Sequence, residues 1–193
     1  MGRVLMAAVI ERNVINGMDV GALHETMEAI RDRPQLAQFH FRVHNRWFSG
    51  HHSRSVVDNF HGVGHETTTR DLPFQVEIDE PPELLGGNAA PNPVEYVLSA
   101  LAGCLTSALV MSASAKGVRL DAVESSLEGD VDVRGLLGMD DQIRPGYQEI
   151  RVTFRITSDA PRETLEECVR LAQERSPVFD IVTNRVPVSV RLE

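Results

Sequence analysis

Two periods of apolar residues alternate along this chain. Val20, Leu23, Met27 and Ile30 fall at i, i+3, i+7 and i+10, the stripe of an amphipathic helix of about three turns. Asp19 stands where a cap is needed, and Pro34 lies beyond the end. From Phe39 to Phe48 the period changes to two ("FHFRVHNRWF"), and Ser53 to Phe60 and Leu72 to Ile78 continue it, with Gly50 and Gly62 marking turns. This pattern predicts a β-meander. The stretch "DEPPELLGGNAAPNP" is too rich in Pro and Gly for regular structure and reads as a loop.

A long helix follows the loop. Asn92 can cap it, Pro93 suits its first turn, Glu95 completes a capping box, and Gly117 ends it. Val123, Leu127, Val131 and Val133 then share one face of a strand pattern, and Ile150, Val152, Phe154 and Ile156 alternate with Arg151, Thr153 and Arg155. Between them "GLLGMDDQIRPGY" reads as a turn-rich loop, and its Leu136, Leu137 and Met139 need cover, for which a partner subunit is one candidate. A second helix is expected from about Pro161 to Arg175, and "VPVSVRL" reads as a closing strand. The order is helix, three strands, long helix, two strands, helix, strand. It predicts an α+β protein with helices packed on antiparallel sheet.

Composition narrows the function classes. A chain of 193 residues can bury a core without disulfides or metal. Its net charge of −9 is spread along the sequence, which argues against a nucleic-acid partner. The apolar run in "MGRVLMAAVIERN" is too short for a secretory leader, so a cytoplasmic location is expected. Tyr96 to Ala115 carries no charge, but its Ser, Thr, Gly and many Ala favour a buried core helix over a membrane span. No phosphate loop, nucleophile elbow or CxxC occurs, and no cofactor is implied.

Three groups could carry chemistry. Cys104 shares a helix face with Val97, Ala100, Leu101, Ala108 and Met111, so local pattern favours a buried thiol acting as a small hydrophobe over a reactive one. It lies about three turns from the helix start, too far for the dipole, and a thiolate there needs a cation such as Arg46, Arg54, Arg70 or Arg175. Cys168 falls with Leu165, Val169 and Ala172 on the inner stripe of the second helix and reads as core. His51 and His52, and His61 with His65, form two histidine clusters; the Gly at 62 and 64 favour a loop over a shared metal site.

Together, "NPVEYVLSALAGCLTSAL", "EGDVDVRGLLG", "RPGYQEIRVTFRI" and "ERSPVFDIV" resemble the OsmC/Ohr family, the osmotically inducible and organic hydroperoxide resistance proteins. The resemblance covers roughly residues 38 to 193, leaving 1–37 as an N-terminal helical extension. Within it lie the meander at 38–80, the central helix at about 92–116 and a β-β-α-β part at 120–193. It implies an intertwined homodimer, with antiparallel sheets packed on two long central helices and active sites at the subunit interface. Active members are thiol peroxidases, in which the helix cysteine attacks a hydroperoxide, a second cysteine resolves the sulfenic acid, and dithiols reduce the disulfide.

By this resemblance Cys104 is the peroxidatic cysteine. The resolving position falls on Ser176, which has no thiol; Cys168 is about 12 Å earlier along the helix axis and is not an obvious substitute. The assisting Arg maps to Arg54, with Arg46 as the alternative. The assisting Glu commonly follows the Pro, where this chain has Val94, and Glu95 is one residue later. Two expectations result. One is a peroxidase working through Cys104 with an external thiol or dithiol reductant. The other is a non-catalytic dimer of the same fold binding a small apolar or thiol-bearing ligand.

Overall fold

The computed structural model describes residues 13–193. The apolar run at 1–10, read for a leader, lies outside the described residues. Helix α1, Val20–Asp32, begins where expected, with the Asp19 side chain accepting from the Ala22 amide. Ahead of it a hairpin of two short strands, β1 (Val14–Ile15) and β2 (Met18–Asp19), turns through Asn16 and Gly17, both at positive φ. Asn16 anchors this hairpin to the far end of the long helix: its Nδ2 donates to Ser114 Oγ and the Val118 carbonyl, and its Oδ1 accepts from the Leu120 amide.

The meander forms as an antiparallel sheet in the order β3 (Val43–Ser49), β4 (His52–Val57), β7 (Phe74–Ile78). Between β4 and β7 the chain makes an unforeseen hairpin, β5 (His61–Gly62) and β6 (His65–Glu66), turning through Val63 and Gly64. That turn agrees with the loop expected from Gly62 and Gly64: His61 pairs with Glu66 and Gly62 with His65, so His61 and His65 are not on one strand. Among the described residues no group of three or more metal-binding side chains comes together.

Helix α2, Pro93–Ala115, carries the expected capping box, with Asn92 accepting from the Glu95 amide and Glu95 accepting from the Asn92 amide. It packs against α4 (Arg162–Arg175), α5 (Pro177–Thr183) and β8 (Ala122–Val131). By length and composition α2 could cross a membrane, yet its Ala108, Leu109 and Ala113 join Cys168 and Ala172 in a closed core. β8 pairs antiparallel with β9 (Tyr147–Thr157), and Val123, Phe154 and Ile156 line that core. The α+β architecture with antiparallel sheets is thus established.

Two further departures from the expected pattern lie at Val133 and at the C-terminus. Val133 does not extend β8 but opens a single helical turn, α3 (Val133–Leu136), capped by Asp132. Leu136, Leu137 and Met139 stay exposed; the first two line an open cavity of about 600 Å³ with Leu84 and Leu85. The C-terminal "VPVSVRL" belongs to no strand, and Val186, Val188, Val190 and Leu192 are all exposed. Its alternation suits a sheet, but no strand in the described chain pairs with it, and an unpaired strand has nothing to hold it.

Candidate functional site

The side of α2 that faces the core is not the side that carries the thiol. Leu101, Leu105, Ala108, Leu109 and Ser112 form the buried stripe, and Cys104 sits half-buried at its border. Val97 and Met111, expected to enclose Cys104, remain 37% and 38% exposed. This corrects the picture of a thiol sealed in the core. Among the described residues Cys104 makes no side-chain hydrogen bond or ion pair and is in no disulfide.

The other cysteine is in the opposite situation. Cys168 has no exposed surface, packs with Ala108, Leu109, Ala113 and Ala172, and burial pushes its thiol pKa up. Ser176, at the resolving position, is buried and caps α5, its Oγ accepting from the Phe179 amide. The hydroxyl there has a structural task that a thiol performs poorly, since sulfur is a weak acceptor.

Glu95 is occupied at the helix start by its capping bond. Beside it, the Tyr147 hydroxyl donates to the Val94 carbonyl, and burial followed by the Glu95 charge raises the Tyr147 pKa. Gly129 makes this possible, because a Cβ there would lie 2.6 Å from the Tyr147 ring. Toward the other sheet, the Tyr96 hydroxyl of α2 donates to the Glu77 carbonyl of β7 at 2.6 Å. Both sheets are thereby fastened to the first turn of the cysteine helix.

Two of the four candidate arginines, Arg46 and Arg54, lie on one face of the β3–β4–β7 sheet, while Arg175 ends α4. The register sets Arg46 opposite Arg54 and Arg54 opposite Glu77, so the three side chains form a row across β3, β4 and β7. Arg54 Nε donates to Glu77 Oε1 at 2.5 Å, and His52 Nε2 lies 2.9 Å from Oε2. The Glu77 carboxyl is held below the usual glutamate range, first by the His52 hydrogen bond and next by that of Arg54. Phe48 lies beneath the group, with Arg46 at 5.9 Å, Arg54 at 5.3 Å and the His52 ring at 5.2 Å. Arg46 has no carboxylate partner among the described residues. Arg70 is engaged elsewhere, stacked on Phe60 and Phe74.

No bond among the described residues joins this cluster to Cys104. Tyr96 brings the sheet to the helix, but Cys104 lies eight residues further along it, about 12 Å of axial rise. Glu77 and His52 were missed as partners of Arg54 in the sequence reading. The available signal was weak: a single Glu in the alternating "FQVEI", whose pairing depends on strand register.

The class is that of α+β proteins built round a central helix with a mid-helix cysteine and two antiparallel sheets tied to its start. The sequence pattern of the OsmC-like protein family matches residues 86–191, more than half the chain. The chain belongs to that family. Solved structures agree in fold: an OsmC-like protein from Mycoplasma pneumoniae is 16% identical, with 74% of this chain and 86% of that one covered at a TM-score of 0.59. The organic hydroperoxide resistance protein OsmC from Legionella pneumophila is 18% identical, covering 73% and 88% at 0.53. A protein from Aquifex aeolicus VF5 is 16% identical, covering 74% and 86% at 0.51. No curated protein matches the chain.

Proposed function

We propose that this protein is a thiol peroxidase that reduces organic or other hydroperoxides through Cys104 in a one-cysteine cycle. The observation that carries the reading is the contrast between its two thiols, one open and unbonded on the central helix, the other sealed in the core. The Cys104 thiolate attacks the outer oxygen of the hydroperoxide, the O–O bond breaks, and the alkoxide leaves as an alcohol after protonation. The resulting sulfenic acid condenses with an external thiol, releasing water, and a second thiol frees Cys104 as the reductant becomes a disulfide. Ser176 offers no sulfur for an internal disulfide.

The working unit is a homodimer. The first sheet presents Val43, Trp47 and Phe74 uncovered on one face, and α2 presents Val97 and Met111; a second copy supplies cover for such surfaces. Arg54 is the cation assigned to the thiolate, with Arg46 as the neighbouring alternative; both lie on the sheet face opposite to Val43, Trp47 and Phe74. The test is steady-state consumption of tert-butyl hydroperoxide with dithiothreitol as reductant. Wild-type protein turns over and Cys104→Ser does not; equal slow consumption by both defeats the reading.

A further inference from the structure

We infer that Glu77 is the residue that positions Arg54 for reaction, a role played from strand β7 rather than from the start of the cysteine helix. The inference rests on the peroxidase reading above and adds the carboxylate that holds the cation in place.

Four contacts fix this carboxylate. Its backbone is held by the Tyr96 hydroxyl on its carbonyl and by the strand register opposite Arg54. Its two oxygens are taken separately, Oε1 by Arg54 Nε and Oε2 by His52 Nε2. A carboxylate bound through both oxygens cannot rotate without breaking a bond, and the guanidinium bonded to it also lies over the Phe48 ring, so two contacts restrict its orientation. The bond to Arg54 uses only Nε, leaving the NH1 and NH2 groups to donate to an anion approaching the sheet.

The alternatives at the helix start are less suited. Val94 has no acid, and Glu95 is committed to the Asn92 amide. Asp79, two residues after Glu77, spends its carboxylate on the amides of Glu80, Gly87 and Ala89. Glu77 is the acid on the row that Arg46 and Arg54 occupy. Arg46 and Arg54 stand opposite each other, and the Glu77 carboxylate bonded to Arg54 offsets the repulsion of these like charges, while Phe48 lies against both.

A double-mutant cycle on the intact protein tests this, read as kcat/KM for tert-butyl hydroperoxide. Glu77→Gln is expected to lower kcat/KM by about tenfold or more through lost orientation of Arg54. Glu77→Asp, which keeps the charge, is expected to recover part of the loss. In an Arg54→Gln background Glu77→Gln should change the value by less than about twofold, because its effect passes through Arg54. Equal losses in both backgrounds, or no loss in wild type, overturn the inference while leaving the peroxidase reading intact. If Glu77→Gln does not fold, the same comparison with Glu77→Asp decides, an equal effect in both backgrounds again being the contrary result. If Arg54→Gln alone is fully active while Cys104→Ser is dead, Glu77 has no cation to position and the inference falls by itself.

Discussion

The two halves of this chain solve the burial problem differently. In the C-terminal half, α2, α4, α5 and the β8–β9 pair enclose a core of small and branched residues, with Leu109, Ala113, Cys168 and Ala172 wholly removed from solvent. In the N-terminal half, β3 is exposed along its entire length, and β3, β4 and β7 pack chiefly on one another. The core half carries the open thiol and the sheet half carries the cations. The proposed second copy supplies the hydrophobic cover that the sheet half lacks.

This contrast can be broken from the sheet side. Replacing Val43 and Trp47 together by Asp alters side chains that are 58% and 67% exposed. Sedimentation velocity is expected to show complete conversion from dimer to monomer, because burying two unpaired charges in an interface is prohibitive. A dimer that survives the pair of changes places the interface elsewhere. From the core side, Leu109→Ala empties a fully buried position on α2 and should cost about 2–5 kcal/mol in urea unfolding. A loss below about 1 kcal/mol would mean that the core half is not the stable half.

The loop between the halves gives a pH-dependent effect. Asp79 is held below the ordinary aspartate range chiefly by backbone amides, first that of Ala89 and then that of Glu80. A depressed folded pKa contributes stability above the unfolded pKa and loses it as pH falls through the folded value. Asp79→Asn should therefore melt at lower temperature than wild type near neutral pH, with the gap narrowing in acid; a gap independent of pH would contradict this. The smallest effect is at the cap. Asn92→Ala is expected to cost about 1 kcal/mol, measured by the same urea titration.

The helices were legible because their signals are local. Asp19, Asn92, Pro93, Glu95 and Gly117 each announce a boundary through chemistry within a few residues, and the structure places each boundary there. The alternation from Val123 to Val131 was equally plain, and half-buried and exposed residues alternate along β8 as it predicts. What the pattern concealed was long-range. Cys104 and Leu105 are adjacent in sequence, and which of them faces the core depends on where α4 and α5 lie. Glu77 meets Arg54 only through strand register. The C-terminal alternation is real but unpaired, since a strand signal specifies a face and not a partner.

The central claim, that Cys104 reacts alone while Cys168 is kept out of the cycle, is tested most directly by mass spectrometry of the folded protein after treatment with hydroperoxide. Sulfenic or sulfinic acid on Cys104, with Cys168 remaining a free thiol, is the predicted result. A Cys104 to Cys168 disulfide, or an unmodified Cys104, would contradict it.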